Sequence, residues 1–275
     1  MFSQKSFWLK FSAVSILIFI FLLSGCSSMH RRYKYRQDFA PNFHIDPNSV
    51  PNPVPRDEPP SKHGNPSSYV VLGKRYYVLK SAKGYDETGI ASWYGMKFYN
   101  HKTSNGEEYD VAKMTGANKV LPLPTYVQVT NLKTGKKIIV RINDRGPFHA
   151  NRIIDLSYVA AAKLGMLPTG TALVEVKAID PNNPSETECA SPSVPIGRGK
   201  IYIQIGAFAV EDNATRLKSR IESLTRYPVI IESADLHGRP IYKVQIGPIP
   251  SIESTDSLHH TLLSMGLGEP MTVIK

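Results

Sequence analysis

Two carboxylates, Glu107 and Asp144, are set apart from the other acids of this chain by the residues around them. Asp144 closes a stretch in which Ile138, Val140 and Ile142 alternate with Ile139, Arg141 and Asn143, the two-residue period of a half-buried strand. Arg145, Gly146 and Pro147 then break the strand, so the acid is expected where a packed sheet meets a loop, partly desolvated and facing a cleft. Catalytic acids are made in such places. Glu107 follows the turn pair Asn105-Gly106. Two carboxylates in different environments can divide the work of glycosidic cleavage: one protonates the leaving oxygen, while negative charge stabilises an oxocarbenium-like transition state. A blander reading stays open at this stage, with Glu107 and Glu108 as solvated turn residues and Asp144 paired with Arg141 or Arg145. If the strand continues, Arg145 points away from Asp144.

The neighbours of these acids leave both a sugar ligand and ordinary packing open. Trp93 and Tyr94 stand beside Gly95, and either ring can line a sugar subsite or simply pack the core. Arg141, Asn143 and Arg145 can bind lactyl or peptide carboxylates, or serve as a solvated rim. The histidines, His101 and His149 among them, show neither an HExxH spacing nor paired cysteines, so no metal and no other cofactor is expected. There is no GxSxG elbow for a nucleophilic serine. Of the two cysteines, Cys189 lies in a Ser/Pro-rich stretch and reads as a linker thiol.

The elements that must position these residues follow from pattern. With 275 residues, 41% of them hydrophobic, the chain supports one or two domains, and its 21 prolines and 19 glycines indicate linker besides. Residues 76–180 read as many short strands (76–79, 89–94, 126–131, 137–143 and 172–178), hence a small β-barrel. One helix is expected over 155–164, capped by Asp155 or Ser157 and ended by Gly165, with Ala160, Ala161 and Leu164 as its apolar stripe. Residues 181–199 read as a linker. Over 200–275 the order is strand, helix, strand, strand, helix, strand, with helical stripes at Ala214, Leu217, Ile221, Leu224 and at Leu258, Leu262, Met265. YIQIG at 202–206 is echoed by YKVQIG at 242–247, a weak internal repeat.

The N-terminal segment supplies the location. Lys5 and Lys10 precede an apolar run, 11–23, within the range of a signal-peptide core and short for a bilayer span. Leu23, Ser24 and Gly25 before Cys26 look like a bacterial lipobox, so residues 1–25 are expected to be removed and Cys26 to carry lipid. Ser27 in place of aspartate favours the outer membrane by enterobacterial-type sorting rules. With Cys26 acylated, Cys189 has no intramolecular partner and no disulfide framework is expected. Residues 26–75, with Arg31, Arg32, Lys34, Arg36 and the prolines 51, 53, 55, 59 and 60, read as an extended tether. The net charge of +10 alone allows nucleic acid, anionic membrane or anionic polymer, and the export signal removes nucleic acid.

Three blocks carry a resemblance: GIASWYG at 89–95, NGEEYD at 105–110 and RINDRGPF at 141–148. On them the central part of the chain resembles the rare lipoprotein A family, and 200–275 resembles a SPOR domain. The resemblance implies a double-psi β-barrel that acts as a lytic transglycosylase on bacterial cell wall, followed by a small βαββαβ SPOR domain. In such an enzyme the muramic acid C6 hydroxyl attacks its own anomeric carbon, leaving a 1,6-anhydro end without a catalytic water. The resemblance places Glu107 and Asp144 on the family's paired acids, with Asp144 as proton donor and Glu107 as stabiliser or partner base. It implies that the terminal domain binds denuded glycan strands, which accumulate at the division septum, with Tyr202, Gln204, Lys243 and Gln245 as candidate contacts on the sheet face away from the helices. The chain departs from the family's pattern in TGANKVLP at 115–122, where Asn118 stands in place of a histidine. Asparagine can hydrogen-bond a carboxylate or an acetamido group but carries no proton near neutral pH, so a septal lipoprotein that binds glycan without cutting it is the competing expectation.

Overall fold

The computed structural model describes residues 35, 37–183 and 192–275. Cys26, Cys189, the apolar run and the cluster Arg31, Arg32, Lys34 and Arg36 lie outside the described residues. The architecture below belongs to one compact unit, Gln37–Lys275.

Six strands close a barrel: β3 (Asp86–Tyr94), β4 (Thr115–Asn118), β5 (Thr125–Asn131), β6 (Lys137–Asp144), β7 (Arg152–Ser157) and β8 (Ala172–Ala178), in the order β3-β7-β4-β6-β5-β8. The pairs β3–β7 and β4–β6 are parallel and the others antiparallel, the double-psi arrangement. Alternation in each strand turns Val127, Val129, Ile138, Val140, Ile142, Ile154, Leu156, Val174 and Val176 inward, each at most 2% exposed, into one core. Helix α1 (Tyr158–Leu164) leaves the end of β7, capped by Ser157 Oγ and stopped by Gly165 in the left-handed region (φ 77°).

Two local expectations are corrected and one unexpected strand is added. Residues 152–157 form a strand, so Asp155 lies within the sheet and not at a helix start, and only Ser157 caps. The alanine stripe that follows has a helical period, and it masked the short alternation of Ile154 and Leu156 before it. Thr115–Asn118 is a strand although nothing alternates in it, because all of its residues are buried. Tyr76 belongs to no barrel strand: β1 (Ser68–Val71) and β2 (Lys74–Tyr77) form a separate hairpin.

The proline-rich segment expected as a tether lies along the barrel from residue 38 onward. Asp38 accepts from the N–H groups of Gly95 (2.7 Å) and Lys97 (3.0 Å), and Ile45 and Val50 pack on the core. Asn65 exchanges bonds with the Leu123 backbone (2.7 and 2.8 Å). Proline removes N–H donors without removing carbonyls or side chains, so an extended segment can still be bonded along its length.

The terminal domain has the expected order: β9 (Ile201–Phe208), α2 (Glu211–Glu222), β10 (Val229–Leu236), β11 (Arg239–Ile249), α3 (Ile252–Ser264) and β12 (Met271–Ile274), in an antiparallel sheet β10-β11-β9-β12. Ile203, Val244 and Ile246 pack under Ala214, Ile221, Leu258 and Leu262, while Leu224 and Met265 fall beyond the helix ends and are exposed. This core continues into the barrel through Leu132 and Leu173 and into residue Val194. An ion pair from Arg152 on β7 to Asp256 on α3 (2.6 Å) ties the two domains further. The segment at 192–199, expected to be linker, is held too, with Ser193 bonded to Glu175.

Candidate active site

The chemistry collects where β6 ends. Residues 102–108 form a tight loop closed by the Lys102–Glu108 bridge, with Gly106 supplying a positive φ of 92° that a side chain would strain. The loop folds over the end of β6: Asn105 N–H donates to Asn143 O (3.3 Å), and both the N–H and the hydroxyl of Ser104 donate to Asp144 Oδ1 (2.8 and 2.5 Å). The Arg145 N–H adds a third bond to the same oxygen (2.7 Å). Asp144 is half-buried and fixed by these backbone and hydroxyl donors, and neither Arg141 nor Arg145 pairs with it.

Glu107 hangs from the same loop and is held separately. Arg141 Nη1 reaches both its oxygens (2.7 and 3.0 Å), Asn143 Nδ2 donates to Oε2 and Asn105 Nδ2 to Oε1 (2.8 Å each). Partial burial works against its charge, but the bonds from Asn143, Arg141 and Asn105 outweigh it and hold the carboxyl below its ordinary pKa. Arg141 also takes Glu58 in a second two-pronged pair (3.0 and 2.8 Å), and that bonding holds Glu58 down at about 2. The loop thus brings Glu107 and Asp144 to one end of the barrel, and no hydrogen bond joins the two carboxylates.

The other named residues divide. Asn143 sits among the acids with its Oδ1 buried and without a donor. Arg145 sends its guanidinium to the carbonyls of Gly64 (2.9 Å), Leu121 (2.5 Å) and Asn118 (3.2 Å) and to Asn65 Oδ1 (3.0 Å), so it staples loops and is not a solvated rim charge. Asn118 is 1% exposed and bonded throughout: Nδ2 to Tyr85 Oη (3.0 Å) and Ile153 O (3.2 Å), Oδ1 from the N–H groups of Val120 and Leu121 (2.8 Å each). It bonds no carboxylate. Tyr94 is a core residue, 7% exposed and packed on Tyr109 (ring centroids 4.3 Å apart), and Trp93 packs edge-on to Tyr158.

In the terminal domain, Tyr202, Gln204 and Lys243 are partly exposed and share a neighbourhood with Gln245, which fills part of the expected face. Gln245 is 1% exposed. It bonds Glu232 (3.1 Å) and Gln204 (3.4 Å) and accepts from Lys275 (2.7 Å), which also pairs with Glu232 (2.7 Å) and lies 4.9 Å from the Tyr202 ring centre. Lys243 stands opposite Glu232 in the ladder.

Sequence reasoning missed Ser104, Glu58, Asp155 and an aromatic cluster of Tyr69, Tyr76 and Phe148 beside Arg145 (ring centroids 5.4 to 6.3 Å apart). Ser104 had a signal, since it opens the Asn105-Gly106 turn. Glu58 had none, as its partner is 83 residues away. Among the described residues no group of His, Cys, Asp or Glu is arranged to hold a metal.

Comparisons with known proteins bear on both domains. The family model described as lytic transglycolase matches residues 86–176 and that described as SPOR domain matches residues 197–266. The endolytic peptidoglycan transglycosylase RlpA of Pseudomonas aeruginosa (strain UCBPP-PA14) is 35% identical over 318 residues, spanning 92% of this chain and 93% of its own. Its namesake in Vibrio cholerae serotype O1 is 38% identical over 250 residues, spanning 91% and 92%. The one in Neisseria meningitidis serogroup A is 43% identical over 188 residues, spanning 68% and 75%.

Proposed function

The chain belongs to the RlpA family of endolytic peptidoglycan transglycosylases, and from that premise we propose that it cuts peptide-poor glycan strands at the division septum, leaving 1,6-anhydromuramic ends. It is a peptidoglycan lytic transglycosylase of the cell envelope with a peptidoglycan-binding SPOR domain. In the finer reading Asp144 donates the proton to the departing glycosidic oxygen. Glu107, kept ionised by Arg141 and Asn143, supplies fixed negative charge near the developing oxocarbenium ion. Cys26 anchors the chain by lipid to the outer membrane, and the SPOR domain concentrates it on denuded strands.

The observation that carries the reading is the fixation of a half-buried Asp144 by three donors on one oxygen at the end of a rigid barrel, since a positioned acid with a free edge is what leaving-group protonation requires. Asn118 does not weaken it, because that amide is consumed in holding the loop after β4 and never faces the acids. The test is digestion of denuded glycan strands by the lipid-free protein, with mass spectrometry of the products. Anhydromuramic ends are expected. Reducing ends alone would make the protein a muramidase, and intact strands after long incubation would make it a binding protein.

A further inference from the structure

A second carboxylate stands in register with Asp144 across the sheet. Ser92 on β3, Asp155 on β7, Ala117 on β4 and Asp144 on β6 are successive register partners across four neighbouring strands. Side chains in register on adjacent strands point to the same side of a sheet. In β7 the inward positions are Ile154 and Leu156, so this row faces outward. Asp144 would turn inward with Ile142, but the ladder slips between Gly116–Ile142 and Ala117–Asp144, leaving Asn143 as the extra residue of a bulge that re-aims Asp144 to the side of Ala117. The two acids are then two strand spacings apart, about 10 Å between Cα atoms, with Ala117 between them, packed against Tyr94 and Tyr109.

Among the described residues one hydroxyl and no ion pair answers the charge of Asp155. The Ser92 hydroxyl donates to it, yet Arg152 is spent on Asp256 (2.6 and 2.9 Å) and Lys119 on the Arg152 carbonyl (2.5 Å). Asp155 enters no ion pair among the described residues. Burial pushes its pKa up to about 6, against the Ser92 bond and the more distant Arg152 and Lys119, and Asp144 pushes it the same way as burial. A desolvated, unpaired acid in a row with a second acid is a costly arrangement that stability does not explain.

We propose that Asp155 is the base of the site: it faces Asp144 across Ala117 and takes the proton of the muramic acid C6 hydroxyl as that oxygen closes on the anomeric carbon. In this step the Asp144 proton passes to the glycosidic oxygen while the C1–O bond breaks. The C1–O6 bond forms, and the hydroxyl proton ends on Asp155, so one proton crosses from Asp144 to Asp155 and no water is consumed. A carboxylate made more basic by burial suits that task better than an ordinary one. The step rests on the transglycosylase reading and on Asp144 as its acid.

The test uses the full lipid-free chain, with anhydromuramic ends counted on denuded strands and binding measured by co-sedimentation. Asp155→Asn is expected to cut turnover by roughly 100-fold or more while binding and folding persist, and Asp155→Glu to recover part of it. The base works ionised, so wild-type kcat/KM falls as pH drops through about 6. Ser92→Ala removes a bond that favours the ionised form, and moves that acid limb upward with Tyr94, Lys119, Asp144 and Arg152 left in place around the group. An Asp155→Asn protein that cleaves within about threefold of wild type, or a Ser92→Ala profile that does not move, overturns the proposal while the transglycosylase reading stands. A wild-type protein that makes no anhydromuramic ends overturns both.

Discussion

The end of the barrel and the sheet of the terminal domain both gather polar side chains, and they use them in opposite ways. At the barrel end, loops folded over a rigid frame hold each acid by its own donors: Ser104 and Arg145 serve Asp144, while Arg141, Asn143 and Asn105 serve Glu107. On the terminal sheet the polar residues serve one another. Gln204, Gln245 and Glu232 sit on neighbouring strands about 5 Å apart, with Lys275 just past the end of β12, and they bond mutually until Gln245 is as buried as a core residue. Catalysis needs groups whose geometry is fixed before substrate arrives. A glycan-binding face can tolerate a closed network that the ligand must open.

The largest effect expected from that contrast is at Asp144. Asp144→Asn should lower the yield of anhydromuramic ends by about 10²- to 10⁴-fold, whereas Gln245→Ala should leave cleavage of soluble strands unchanged. Equal losses in the two variants would erase the distinction between the regions. Next comes Asn118, the barrel's counterpart of Gln245 as a fully bonded buried amide. A histidine there cannot reproduce four bonds in the same volume, so Asn118→His should cost about 2–4 kcal/mol in denaturant unfolding and bring no gain in turnover. Faster cleavage by that variant would show that the position faces the glycan after all. The smallest effect is at Lys275, whose pair with Glu232 is partly exposed. Lys275→Ala should cost under about 1 kcal/mol of stability and uncover the Tyr202 ring, tightening co-sedimentation with denuded strands by roughly threefold. Weaker binding would make Lys275 itself a glycan contact.

Much of the fold could be read in advance because its elements carry their own periodicity. Ile201, Ile203 and Ile205 alternate, Ala214 and Ile221 repeat at helical spacing, and the terminal domain has the order expected from them. Where periodicity is short or absent, reading failed. Thr115–Asn118 is a strand buried on both sides, and the helical period of the alanines after Asp155 hides the strand that holds it. The candidate site was half legible. Asp144 showed itself by ending an alternating strand at Arg145-Gly146-Pro147, and Glu107 by following a turn pair. The bulge at Asn143 had no local mark, because a register slip belongs to two strands at once. Glu58, embedded among prolines, offered no hint of its bond to Arg141.

The chain's own order of residues determined which acids end a strand or follow a turn, which stretches with a clear period are strands or helices, and how the two domains follow each other, since these depend on neighbours a few positions apart. Tertiary structure alone decided which acids meet. Register across β3, β7, β4 and β6 sets Asp155 in line with Asp144, and the loop at 102–108 sets Glu107 against Arg141 instead. The physical reason is that barrel closure fixes contacts between strands far apart in the chain, and a slip of one residue in that closure redirects a side chain that local pattern had aimed inward.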